Sequence, residues 1–198
     1  RYLWDQSKDG KPPNGFFIGT EYTREDINKA INENDSSLSQ DEEGHGTMIS
    51  GICAGLGSIK KEYEGIAPEA ELVVVKLAKV NGFYTSAMLE TAISYVYEIA
   101  KNTQTPTIIN VSMGSNLLAG YASNTKPKKT YFSNGISIVA AAGNEGNTQT
   151  HISGHINRSG EIVDIELEIV EDEKNLIVEI WMSRPDRINL IVISPSGE

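Results

Sequence analysis

Leu72-Val73-Val74-Val75-Lys76-Leu77 is the stretch on which the fold turns. It lacks the polar alternation of a half-exposed strand, and turn signals bound it at Pro68 and at Asn81-Gly82. A strand of that kind is buried on both faces. Thr107 to Val111 and Gly135 to Ala142 repeat the pattern. Between the first two strands, Ser86 to Lys101 carries apolar residues at 89, 93, 96, 97 and 100, the stripe of an amphipathic helix. Strand, helix and strand in this style predict an α/β fold, a parallel sheet with helices on both faces. Ligands on such sheets gather at the carboxyl ends of the strands. That rule directs attention to Asn110 to Ser115 and Gly143 to Gly146.

Upstream, Thr23-Arg24-Glu25-Asp26 has the form of a capping box and predicts a helix to about Asn34. Asp35 to Glu43 is polar, Ser-rich and acidic, which predicts a loop. His45 to Leu56 is small and apolar without Pro, which predicts a buried helix, with Cys53 in it as a small buried hydrophobe. Downstream of residue 148 the period changes to two. His151 to Asn157, Glu161 to Val170, Leu176 to Met182 and Ile188 to Ser194 read as short antiparallel strands with one wet face. The predicted organisation is therefore a domain over residues 1–147 and an antiparallel β insertion over 148–198, half of a sandwich. Ile165, Leu167, Ile177, Val178, Ile180, Leu190 and Val192 should supply its buried surface, and its open apolar side predicts self-association.

Charge limits the partners. The 198 residues carry 17 Lys/Arg against 27 Asp/Glu, a formal net charge of -10 that would repel a phosphate backbone and argues against nucleic-acid binding. The Lys126, Lys128, Lys129 cluster reads as a solvated face. No apolar run is long enough to cross a membrane. A single Cys53 cannot close an internal disulfide. The chain opens at Arg1 on an apolar cluster and closes just after an apolar run, which reads as a piece of a longer protein.

Three segments carry chemistry. Gly44-His45-Gly46-Thr47 sets a histidine at the mouth of a small-residue helix, suited to proton transfer near neutral pH or, more plainly, to capping or packing. Ala141-Ala142-Gly143-Asn144-Glu145-Gly146 ends a strand with an amide that can donate to a developing oxyanion, or with an ordinary turn. Ile109 to Ser115 ends another strand, whose exposed backbone could pair with an extended peptide.

Taken together in this order and spacing, over about residues 44–146, these segments resemble the subtilisin-like serine proteases, the subtilases. Tyr2-Leu3-Trp4-Asp5-Gln6 and Glu21 to Ile27 resemble a narrower bacterial group, the clostridial spore-germination proteases, in which a β-rich insertion follows the oxyanion Asn. The resemblance implies an incomplete subtilisin-like catalytic domain with His45 as general base and Asn144 as oxyanion donor. Ser112, Met113 and Gly114, with Ala141, Ala142 and Gly143, would bind the peptide or protein substrate. No organic cofactor is implied. Many subtilases bind structural Ca²⁺, and Asp41-Glu42-Glu43 is an acidic loop beside the histidine, but no Ca²⁺ site can be placed. The resemblance points to a bacterial secreted, cell-envelope or spore-associated setting, while the single cysteine fits such a setting and the cytosol equally, so the localisation stays open.

Two blocks of the family are missing. Neither an Asp-Ser/Thr-Gly block before His45 nor a Gly-Thr-Ser-Met-Ala block after Asn144 occurs. The catalytic Asp and Ser are thus expected from the remainder of the parent chain. Two alternatives remain: a subtilase-fold pseudoprotease acting as a sensor or binding module, and an independent β-module over residues 148–198. Trp181 is the only aromatic residue of that module, which argues against a sugar platform.

Overall fold

The computed structural model describes residues 1–114, 135–169, 176–183, 185–194 and 196–197. Ser115, the Lys126, Lys128, Lys129 cluster and Val170 lie outside the described residues. The chain falls into two compact units, Arg1–Gly143 and Asn144–Glu198.

The first unit starts with a strand hidden in its opening apolar cluster. β1 (Tyr2–Asp5) pairs antiparallel with β2 (Thr20–Tyr22) and parallel with β3 (Val73–Lys76), in a register that sets Tyr2 opposite Val73 and Asp5 opposite Lys76. Trp4 anchors this sheet. Its side chain is fully buried, its indole N–H donates to the Ile18 carbonyl at 3.1 Å, and its ring packs on Phe16 and Tyr95 with centroids 5.0 and 4.9 Å away. The chain returns past Trp4 at Gly19, where φ is +77° and an added Cβ would stand 2.4 Å from the Asp5 carbonyl. Only glycine fits there.

The helices follow their sequence signals. α1 (Arg24–Asn32) opens on the expected box, Thr23 accepting from the Asp26 amide while Asp26 accepts from the Thr23 amide. α2 (His45–Ala54) and a short 3-10 turn at Lys61–Tyr63 precede β3. β4 (Lys79–Val80) and β5 (Phe83–Tyr84) form a hairpin across Asn81 and Gly82, with φ of 51° and 83°. Two positive φ values in succession define the turn that matches strand twist, and Asn-Gly supplies them at least strain. α3 (Ser86–Thr103) is capped by Thr85 and buries Ala92, Ile93, Tyr95, Val96 and Ala100. It leads into β6 (Thr107–Val111), which pairs in parallel with β7 (Ile136–Ala140) from Thr107 opposite Ile136 to Val111 opposite Ala140. Trp4, Ile93, Tyr95, Val96, Ala100, Ile109 and Ile136 make one continuous core. Burial and a hydrogen bond to Glu21 push the Tyr95 phenol far above its usual range, so it remains a neutral donor.

The unit is α/β with parallel strands, and it differs from expectation in three ways. The parallel strands form two ladders rather than one sheet, because β3 and β6, on either side of α3, share no pairing among the described residues. Cover is one-sided: Ile109 and Ile136 are buried while Ile108 and Val139 on the opposite face are 74% and 52% exposed. α2 is not buried. Met48 and Ile52 are more than half exposed and Cys53 is exposed, which corrects both the buried-helix and the buried-cysteine expectations. Small apolar residues all round a helix signal neighbours on every side. In this structure α2 is held mainly at its far end, where the Gly65, Ile66 and Ala67 amides donate to the Gly55, Ile52 and Cys53 carbonyls.

The second unit departs furthest from its sequence pattern. Its described residues form neither helix nor strand, so among them the antiparallel ladders expected over 148–198 do not occur. Ile165, Leu167, Ile177, Val178, Ile180, Leu190 and Val192 are all exposed, which corrects their assignment to a buried face. Alternating apolar residues bury themselves only when a ladder and an opposing layer are both present. Among the described residues no helix is long and apolar enough to cross a membrane.

Candidate active site

The site is built around the first residue of α2. Gly44 supplies the N-cap in the left-handed region, at φ 74°, and offers no capping side chain. Asp41 takes that task from three residues upstream. One carboxylate oxygen accepts from the Gly44 amide at 3.0 Å; the other accepts from the Thr47 amide and hydroxyl at 2.8 and 2.7 Å. These bonds, the Thr47 amide first, hold the Asp41 carboxyl below its usual range, as an anion at a helix N-terminus should be. His45 is thus fixed from both sides by one carboxylate.

The imidazole reaches across to the end of β6. His45 Nε2 lies 3.0 Å from the Ser112 carbonyl oxygen. A carbonyl only accepts, so Nε2 donates and carries a proton in this arrangement. The Ser112 hydroxyl accepts in turn from the side-chain Nδ2 of Asn110 at 2.8 Å. The Ala141 amide donates to the Val111 carbonyl at 3.0 Å and extends the β6–β7 ladder one step past the strands. Ser112 to Gly114 and Ala141 to Gly143 therefore leave neighbouring parallel strands at the same carboxyl end. His45 and Ser112 meet there. Asn144 opens the second unit; it is exposed, and its backbone N–H donates to the Glu145 carboxylate at 2.8 Å.

The acidic loop does not fit a Ca²⁺ cage. Asp41 is engaged by the helix, Glu42 by Lys76 at 2.9 Å and Glu43 by Lys79 at 2.9 Å. Hard cations need several oxygens converging on one point, and here each carboxylate faces its own donor. Among the described residues no group of three or more His, Cys, Asp or Glu side chains could hold a metal ion. The sequence shows Asp41 only as part of an acidic loop and Lys76 only as part of a strand, and the capping and fastening roles of the two were not read from it. The signal for Asp41 was its place three residues before a glycine N-cap. Lys76 gave none, because its partners lie far upstream in the chain.

Residues 9–167, a span that includes His45, Ser112 to Gly114 and Ala141 to Asn144, match peptidase S8, the subtilase family. The chain belongs to the subtilase family. This subtilase is 28% identical over 149 residues to subtilisin from Bacillus sp. (strain TA39), covering 75% of the chain and 31% of subtilisin. Over 107 residues it is 31% identical to subtilisin-like protease 3 of Pseudogymnoascus destructans, covering 53% of the chain and 24% of that protein. Its fold is similar to the CspB protease of Clostridium perfringens, with a TM-score of 0.62 and 26% identity over 74% of this chain and 30% of that one. The chain thus spans about a third or less of the length of these relatives.

Proposed function

We propose that these residues belong to a larger serine endopeptidase of the subtilisin type, in which His45 is the general base and Asn144 the side-chain donor of the oxyanion hole. The observation that carries the reading is His45, held at the mouth of α2 and 3.0 Å from the carbonyl of the substrate-binding segment. A peptide lying along Ser112 to Gly114 would present its scissile carbonyl within reach of the imidazole. The nucleophilic serine, supplied from outside these residues, attacks that carbonyl while His45 takes its proton and later passes it to the leaving amine. For that role Nε2 must be free of its proton. An orienting carboxylate at Nδ1, also from outside these residues, would draw the proton to Nδ1 and release Nε2 from Ser112.

The full-length protein should react with a fluorophosphonate probe, and the 198-residue chain alone should not, since it lacks the serine block. Labelling of this chain by itself would refute the assignment of the nucleophile. A folded full-length protein that stays unlabelled would favour the pseudoprotease, a subtilase fold kept for binding. Asn144→Ala in the full-length enzyme should lower kcat by about 10²–10³-fold with KM little changed, a magnitude carried over from subtilisin. The oxyanion exists only in the transition state, so the loss belongs to kcat. Steady-state cleavage of a peptide substrate separates the two parameters, and a pure rise in KM would remove Asn144 from the oxyanion hole.

A further inference from the structure

Every residue from Ser37 to Glu43 is tied down, to the end of β1 and the residues just after it, to β3, to the β4–β5 hairpin or forward to α2. Lys8 Nζ donates to the Ser37 carbonyl and, at 3.1 Å, to the Leu38 carbonyl. Ser39 Oγ donates to Asp5 at 2.7 Å. Lys76 Nζ donates to the Gln40 carbonyl at 2.7 Å and to both Glu42 carboxylate oxygens at 3.0 and 2.9 Å. Lys79 holds Glu43 at 2.9 Å. What looks in sequence like a solvated acidic loop is a strap.

Lys76 is its central fastening. It grips both chain neighbours of Asp41, and Asp41 grips Gly44 and Thr47 on either side of His45. We propose that Lys76 is a positioning residue for the subtilase reaction, holding the imidazole of His45 in register through Gln40, Glu42 and Asp41. The role rests on the peptidase reading above.

The fastening is rigid at its root. Lys76 is the last residue of β3, paired opposite Asp5, and its carbonyl accepts from the Gln6 amide at 2.9 Å. Gln6 is itself buried; its side chain accepts from the Ala78 amide and donates to the Met88 carbonyl, both at 3.2 Å. The ammonium is not a lone surface charge, since its side chain is only 27% exposed and it serves a backbone carbonyl as well as a carboxylate. An exposed ion pair contributes little to stability, so the consequence of Lys76 is expected in geometry. A shift of about 1 Å in a catalytic group can cost about 10²-fold in rate. The buried Asp5 beside it is held below its usual range: burial pushes it up, and the Ser7 and Ser39 hydrogen bonds with the charge of Lys76 outweigh that.

The test uses the full-length protein and two readouts: amide hydrogen exchange over residues 37–47, and the rate of fluorophosphonate labelling. Lys76→Met should speed exchange at Gly44 to Thr47 and slow labelling by about 10²-fold, with KM for a peptide substrate unchanged. Lys76→Arg should restore both. Glu42→Gln leaves Lys76 opposite Asp5, so it folds even if Lys76→Met does not, and it should move both readouts the same way by less. Unchanged exchange in the Lys76→Met and Glu42→Gln variants overturns the strap. Faster exchange with an unchanged labelling rate overturns the positioning role while leaving the peptidase reading intact. A wild-type protein that never labels overturns the peptidase reading and the positioning role with it, whatever the exchange shows.

Discussion

His45→Ala in the full-length protein is expected to reduce turnover by about 10⁶-fold, a magnitude carried over from subtilisin. The cause is chemical. A serine hydroxyl is a poor nucleophile at neutral pH without a base to take its proton, and the amine cannot leave without an acid to supply one. Oxyanion and substrate contacts would survive and leave a residual acceleration over water. The fold should survive as well. His45 is exposed, its one described tertiary bond is to the Ser112 carbonyl, and the cap on α2 comes from Asp41 through Gly44 and Thr47. Alanine at position 45 keeps the helix and removes only the imidazole. Fluorophosphonate labelling with urea unfolding on the same samples checks both halves of the statement. A variant that labels at the wild-type rate would remove His45 from the mechanism, and a lowered unfolding midpoint would recast it as a structural histidine.

The contrast between local and remote information explains which features could be read from the residues. The stripe of α3, the unalternated runs of β3, β6 and β7, the Thr23 capping box and the Asn81-Gly82 turn are each encoded within a few residues, and each is found. β1 went unread because its reason for being a strand is Val73 to Lys76, far along the chain. The same distance hides Lys76, whose partners Gln40 and Glu42 are on a loop with no helical or strand period of its own. Where the pattern overreached, it described burial that needs additional layers. Small apolar residues all round α2 and the alternation after residue 148 both call for neighbours on faces that are exposed here. The site followed the same division. The strand-end rule for parallel sheets pointed to Asn110 to Ser115, whereas the meeting of His45 with Ser112 and the strap that fixes the histidine are contacts between segments.

Trp4→Ala should be the most damaging substitution in the core, lowering the stability of the first unit by about 3–5 kcal/mol. Among the described residues Trp4 is the largest fully buried side chain, and removing it opens a cavity between Phe16 and Tyr95 that neither ring can fill without leaving its own contacts. It also leaves the Ile18 carbonyl without its indole donor. Trp4→Phe keeps much of the packing and loses that bond, so it should cost less, about 1–3 kcal/mol. Urea unfolding of the full-length protein, followed by far-ultraviolet ellipticity, measures both. The loss should reach the active site, because the next two residues of the chain serve it. Asp5 anchors Ser39 of the strap, and Gln6 holds β1 to the Lys76 carbonyl and to the start of α3. Loosening β1 at Trp4 should therefore raise amide exchange at Ser37 to Glu43 at urea concentrations below the unfolding midpoint. An unchanged midpoint would contradict the core described here, and a fall in midpoint with no change in strap exchange would show that β1 and the strap are energetically separate.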